Sequence, residues 1–268
     1  MNDSVRTDIL EAAIRGRFGR PLKAFEATGS TNADAIEWAI QGAPEGALVV
    51  ADHQTSGRGR WGRSWFSVPG AGLLMSVVLR PRVRADRLGL ITTALGVACT
   101  DALRESTGLR PRIKWPNDVT IDGRKLAGIL VETRIDAGRV DVAVAGIGIN
   151  FYPFDPPADI ASRATSVSEA MDRAGLGPPP ARAQVLATLL RHFEALYEEI
   201  TVEGAPAVVE QAAARSDILG RPVRVTLADG RVLEGRASRL LQSGAMEVDT
   251  GAELVAVDSG EVELVRPK

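Results

Sequence analysis

Apolar positions recur at helix-compatible spacing over residues 5–17, and Ser30-Thr31-Asn32-Ala33-Asp34-Ala35-Ile36 opens a second helix, with a hydroxyl or amide N-cap and Gly42 as its stop. The period then shortens. Ala47–Ala51 and Leu73–Leu79 read as strands on either side of a long glycine- and arginine-rich connection, and Leu88–Leu103 has the length and composition of a helix. Four strands follow at Arg112–Trp115, Val119–Ile121, Leu126–Glu132 and Val140–Ile149, with antiparallel hairpin turns at Asp122-Gly123 and Asp136-Ala137-Gly138. Residues 152–164 form a proline-rich loop, and Ala181–Ile200 and Ala205–Arg215 read as helices separated by Gly204. From Ile218 onward the texture changes to short alternating segments at Val223–Leu227, Val232–Arg236, Ala245–Val248 and Leu254–Val257. The pattern predicts an α+β domain over 1–216, with a mixed, largely antiparallel sheet, and a small β-barrel appendage over 217–268.

Composition narrows the class. Hydrophobic residues make up 45% and charged residues 25%, close to the averages of globular domains. The formal net charge of −2 gives no general pull toward nucleic acid, so any anion site must come from a local cluster of cations. Cys99 is the only cysteine and lies in an apolar run, which excludes a disulfide within the chain and fits a reducing compartment. Asp3, Asp8 and Glu11 interrupt the first residues and no long apolar run is present, so neither a signal peptide nor a membrane span is expected, and cytoplasm is the default.

One segment concentrates charge. Gly57-Arg58-Gly59-Arg60-Trp61-Gly62-Arg63-Ser64-Trp65 interleaves arginines with glycines, which lets backbone approach a ligand while guanidinium groups surround a phosphate or carboxylate. Its glycines and three like charges predict a loop that is mobile when empty and ordered over an anion. Gly57, Gly59 and Gly62 also satisfy G-x-G-x-x-G, but that fingerprint must open a helix, and Pro69, Gly70 and Gly72 prevent one. Lys114-Trp115-Pro116-Asn117-Asp118 starts on a strand and breaks at the proline, placing Asn117 and Asp118 on a turn where they can face a cleft. Lys125 begins the next apolar strand near that turn, where its ammonium can neutralise a reacting anion. Gly146-Ile-Gly-Ile-Asn150 ends a further strand with glycines that suggest close backbone approach to a ligand or another element. His53 and His192 have no spacing that assembles a metal site, and no G-x-S-x-G elbow or P-loop occurs, so no metal site is assigned and phosphate-type activation is the better-supported chemistry.

Taken in order, Ser30-Thr-Asn32, Gln54-Thr-Ser56, the 57–65 run, Lys114–Asp118, Arg124–Leu130 and Gly146–Asn150 resemble the biotin protein ligase family over roughly residues 25–268. The resemblance implies a catalytic domain similar to that of class II aminoacyl-tRNA synthetases and an SH3-like C-terminal barrel. It implies that biotin and ATP, with Mg2+ carried on the phosphates, give biotinyl-5′-adenylate, and that biotin then passes to a lysine of a biotin carboxyl carrier domain. By matched position, Ser30, Thr31, Asn32, Gln54, Gly57, Arg58, Gly59, Arg60 and Lys125 would hold biotin. Arg58, Arg60, Arg63, Trp65, Asn117, Lys125 and Asn150 would hold the nucleotide, and Lys125, Arg60 and Asp118 would carry catalysis. Only 29 residues precede Ser30, fewer than the about 60 that a three-helix DNA reader plus linker takes, so repressor function is not expected. Neither nucleic acid nor membrane is an expected partner, and the assembly is expected to be a monomer or homodimer. Lipoate ligases resemble this fold but lack the arginine loop and the Lys-Trp-Pro-Asn-Asp pairing.

Overall fold

The computed structural model describes residues 5–81, 87–136, 139–201 and 205–265. Its framework is a seven-stranded sheet in the order β1-β2-β3-β7-β6-β5-β4. The strands are β1 (Leu22–Thr28), β2 (Leu48–Gln54), β3 (Gly72–Leu79), β4 (Arg112–Lys114), β5 (Asp118–Ile121), β6 (Arg124–Asp136) and β7 (Arg139–Asn150). β1 and β2 run parallel and every other pair of this sheet is antiparallel, so the sheet is mixed, and its antiparallel part includes the hairpins read from the sequence. The β5–β6 hairpin turns at Asp122-Gly123, whereas Ala137 and Gly138 of the second expected turn lie outside the described residues. β1 escaped the sequence reading because it is an edge strand with mostly half-exposed or exposed side chains and no clean alternation.

β3 is buried along its whole length, so both faces of the sheet are covered there. On one face, Leu73, Met75, Val77, Ile147 and Ile149 join the main core with α3 (Gly89–Thr107) and α6 (Arg182–Thr201). On the other face, α2 (Thr31–Ile40) lays Ala35 and Ala39 over Val49, Val78, Val142 and Val144. α3 runs four residues past the expected end and stops at Gly108, whose φ of 76° supplies the left-handed cap. The N-terminal helix α1 is shorter than expected, Thr7–Ala13, because the chain then turns so that Glu194 of α6 can accept from the Arg17 and Phe18 amides. Within and after the proline-rich stretch come α4 (Ala158–Ala161) and α5 (Val167–Ala174), and the latter is fixed by a Ser166/Glu169 capping box that the apolar pattern alone did not reveal. α7 (Pro206–Ala214) leads to the C-terminal strands, and Gly204 before it lies outside the described residues.

The C-terminal unit is a separate antiparallel sheet in the order β11-β10-β9-β8-β12, comprising β8 (Pro222–Thr226), β9 (Val232–Leu240), β10 (Met246–Asp249), β11 (Leu254–Val257) and β12 (Glu261–Leu264). β12 is a fifth strand where four were expected. The unit has its own apolar cluster, but Trp115, from the turn after β4, is part of it. Trp115 is 5% exposed, and its Nε1 donates to the Gly244 carbonyl at 3.0 Å. The connection is also pinned to the main sheet: Ile113 N donates to Arg215 O and Asp217 N to Ile113 O, both at 2.8 Å. Among the described residues no helix is long and apolar enough to cross a membrane.

Two outcomes follow from this packing. Trp115→Ala removes the ring that joins both units and is expected to cost about 3–5 kcal/mol, measured by urea unfolding. Cys99 is fully buried and burial pushes its thiol up to about 12, so it should resist a thiol reagent at neutral pH until the chain unfolds. Prompt labelling of native protein would contradict that burial.

Candidate active site

The cleft arises from strand register. β6 and β7 pair Gly128 with Gly148, Leu130 with Gly146 and Glu132 with Val144, while β3 pairs Ser76 with Gly146 and Val78 with Val144. Side chains alternate between faces with a period of two, so these residues share the face that α2 covers, and the intervening isoleucines go to the core. α2 covers only the Val78–Val144 end. Beyond it the face carries Gly128, Gly146 and Gly148, and there a cleft of ≈ 170 Å³ opens.

Each glycine of this floor has an occupant. A Cβ on Gly148 would lie 2.6 Å from Trp65 Cε2, one on Gly128 would lie 2.7 Å from Trp65 Cζ3, and one on Gly146 would lie 2.0 Å from Asn32 Oδ1. The indole of Trp65 therefore stands on a platform that any side chain would destroy. At the other end, Thr31 N donates to Gln54 Oε1 at 2.8 Å, so the first turn of α2 is held by Gln54, and Ser30 makes no side-chain cap.

The arginine loop leaves β2 and closes on itself. Trp65 N donates to Gly57 O at 2.9 Å and Gly59 N to Arg63 O at 2.6 Å, giving the loop a narrow neck. Its tip is a single 3-10 turn, Arg60–Gly62, in which Trp61 takes a left-handed conformation at φ 56° and stands 46% exposed, with the Arg60 guanidinium 5.1 Å from its ring centroid. A bulky residue there is strained. Two of the three loop arginines already face carboxylates, for Arg58 pairs with Glu132 at 3.1 Å and Arg63 makes a two-point ion pair with Glu261 of β12. Mutual repulsion among the three charges, expected from the sequence, is thereby largely offset. Arg60 makes no ion pair with a described residue, and its Nη1 donates to Asn117 Oδ1 at 3.3 Å. Burial holds its guanidinium below the ordinary value, opposed by Asp118 and reinforced by Arg63.

Lys125 enters from the start of β6, with Nζ 2.7 Å from Asp118 Oδ1 and 5.5 Å from the Trp65 ring centroid. Asp118 Oδ1 is nonetheless without an aligned hydrogen bond among the described residues, so the contact is ionic. The structure brings Ser30, Thr31, Asn32, Gln54, Arg58, Gly59, Arg60, Arg63, Trp65, Asn117, Asp118 and Lys125 to one cleft. It does not bring Gly57 or Asn150 there. Gly57 has Trp65 O 2.5 Å from where its Cβ would be and shapes the neck, while Asn150 donates to Thr165 O at 3.1 Å behind Trp65. Sequence reasoning missed Trp61, Lys114, Gly260 and the Glu261–Val262 start of β12, all of which line the cleft. Glu261 lay in a strand too short to stand out, with no charge pattern to mark it.

Comparison with known proteins agrees with this geometry. The profile of the biotin/lipoate A/B protein ligase family matches residues 24–150, and that of the biotin protein ligase C terminal domain matches residues 218–265. The biotin--[acetyl-CoA-carboxylase] ligase of Mycobacterium tuberculosis is 33% identical over 275 residues, 98% of each chain. The chain belongs to the biotin protein ligase family. The bifunctional ligase/repressor BirA of Bacillus subtilis is 34% identical over 248 residues, covering 92% of this chain and 74% of its own. Among solved structures, the biotin protein ligase from Aquifex aeolicus in complex with biotin and ATP superposes with a TM-score of 0.79 at 28% identity, covering 92% of this chain and 100% of that one. The fold is therefore that of a biotin protein ligase, a mixed α+β sheet domain with a separate C-terminal antiparallel sheet.

A ligase of this architecture should tolerate no side chain under Trp65. Gly148→Ala is expected to displace the indole while leaving the thermal midpoint within a few degrees, since alanine suits a strand and the displaced ring borders an open cleft. A crystal structure of the variant with Trp65 unmoved would refute the platform.

Proposed function

We infer that this protein activates biotin with ATP to biotinyl-5′-adenylate and transfers the biotinyl group to a lysine of a biotin carboxyl carrier domain. The observation that carries the reading is the layout of the cleft. It has a polar end at Thr31, Asn32 and Gln54, an indole on a glycine floor, and two cations in its lining, Lys125 beside that indole and Arg60 on Asn117. The polar end suits the ureido head of biotin, the indole suits adenine, and the two cations lie where a carboxylate must meet a phosphate.

In the first step an oxygen of biotin's carboxylate attacks the α-phosphorus of ATP, and the bond to the bridging oxygen breaks with loss of pyrophosphate. Two anions approach, so the barrier is largely electrostatic. Arg60, partly desolvated and with no ion-pair partner among the described residues, is poised to take the charge developing on the phosphate oxygens. Lys125 exchanges Asp118 for the reacting carboxylate. Magnesium travels with the triphosphate and adds neutralisation there; the protein carboxylates lining the cleft, Asp118 and Glu261, are engaged with Lys125 and Arg63. In the second step the acceptor amine attacks the anhydride carbonyl, the carbon–oxygen bond to AMP breaks, and the amine proton passes to Asp118 Oδ1, which Lys125 has released.

The reading extends to architecture. Residues 1–216 are proposed as the catalytic unit, similar to class II aminoacyl-tRNA synthetase domains, and residues 217–268 as an SH3-like cap, supported by the five antiparallel strands and by the wall that β12 gives the cleft. Asn150 is proposed to act on the nucleotide only through Trp65, since it lies behind that ring. The lone, buried cysteine fits a cytoplasmic setting.

The direct test is biotin- and ATP-dependent labelling of a carrier domain at one lysine, with lipoate as the competing acid. Labelling that requires ATP, resists lipoate and disappears on substitution of the acceptor lysine is expected, whereas preferential use of lipoate would reject the substrate assignment. Lys125→Ala should slow pyrophosphate release about a hundredfold with little change in stability, because its side chain is 39% exposed and adds little to the core. Asp118→Asn should slow transfer from preformed adenylate, and full transfer by that variant would remove the proton-accepting role.

A further inference from the structure

Ser76 and Glu132 lie outside the cleft lining, yet Thr31, Asn32 and Arg58 at its biotin end are each tied to one of them. Glu132 uses both carboxylate oxygens: Oε2 accepts from Asn32 Nδ2 at 2.7 Å, and Oε1 pairs with Arg58 Nη1 at 3.1 Å. Asn32 has no freedom to turn, because Nδ2 also donates to Leu130 O at 3.1 Å and Oδ1 accepts from Ser76 Oγ at 2.6 Å over the bare Gly146. Ser76, fully buried, sits 2.7 Å from Thr31 Oγ1, and Thr31 is bonded to Gln54 at 2.8 Å through its amide. Gln54 and Arg58 are four residues apart on one chain segment, so the sequence of contacts Gln54, Thr31, Ser76, Asn32, Glu132, Arg58 closes into a ring.

This ring fixes the arginine loop as well as the floor. Arg58 bridges Ser64 across the neck of the loop, so holding Arg58 over β6 holds both arms. We infer that Glu132 is a positioning residue for biotin: its carboxylate couples the Ser-Thr-Asn turn to the arginine loop and sets both at the spacing the biotin head requires, without touching the ligand. Arg58 is on this account an anchor whose charge is spent on Glu132, and Arg60 is the loop arginine that pairs with no carboxylate among the described residues. The inference rests on the assignment of biotin to this end of the cleft.

Glu132→Gln keeps an oxygen for Asn32 and removes the charge that holds Arg58, whereas Glu132→Ala removes both contacts. In ATP–pyrophosphate exchange, Glu132→Gln is expected to raise the biotin KM about fivefold to tenfold, with the ATP KM and kcat within about twofold and the thermal midpoint within a few degrees; Glu132→Ala should raise the biotin KM further. Ser76→Ala, which releases the other side of Asn32, should move the biotin KM in the same direction. A biotin KM for Glu132→Gln within twofold of the parent's, or a parallel rise of the biotin and ATP values as loss of structure would give, overturns the inference. Parent enzyme with no biotin-dependent exchange would instead overturn the functional assignment, so the two failures are distinguishable.

Discussion

The site depends on one constraint of β geometry, that successive side chains on a strand point to opposite faces. In β6 and β7 this period places glycine repeatedly on one face and isoleucine on the other, as Gly146-Ile147-Gly148-Ile149 shows. The isoleucines bury against α3, and the glycines leave a floor onto which Trp65 and Asn32 descend to distances no Cβ would allow. Shifting either strand by one residue would fill the cleft with isoleucine and strip the core. Stability and site are therefore set by the same register, and the core face enforces it.

Charge is partitioned on that floor. Of the loop's three arginines, two are committed to glutamates on different elements, Glu132 on β6 and Glu261 on β12. Both pairs are substantially solvent-exposed, so neither adds much to stability. Their effect is geometric. By fixing the loop at both ends of its neck they hold Arg60 in a partly desolvated position next to Asp118 and Lys125, where a positive charge is worth more to an incoming anion than it would be in water.

The motifs were legible because their residue types are unusual for a structural role. A run of arginines and glycines, a proline breaking a strand before Asn-Asp, and a lysine opening an apolar strand each conflict with ordinary packing, and all three converge on one cleft. The supporting residues were not legible. Glu132 looks like the solvated end of a strand, Ser76 like a small residue in an apolar run, and Glu261 like a surface charge on a short strand; only the register and the long-range pairing reveal them. The same holds for the fold: the long apolar helix α3 and both hairpins stand out, whereas β1 and β12, short and half-exposed, do not. Asn150 departs in the opposite sense. It ends a motif whose glycines do face the cleft, but its amide is drawn to the Thr165 carbonyl behind Trp65.

The C-terminal sheet looks separable in sequence and is not independent in structure. Trp115 belongs by sequence to the Lys-Trp-Pro-Asn-Asp turn, yet its ring packs in the core of the C-terminal unit, so the turn that presents Asn117 and Asp118 is held from behind by residues more than a hundred positions later. From the front, Glu261 grips Arg63. The Arg63 guanidinium holds the Glu261 carboxyl below its ordinary range, so this grip is complete at neutral pH and fails only when acid passes below that range. The C-terminal sheet thus contacts both the Asn117–Asp118 turn, through Trp115, and the arginine loop, through Arg63, and braces the two together.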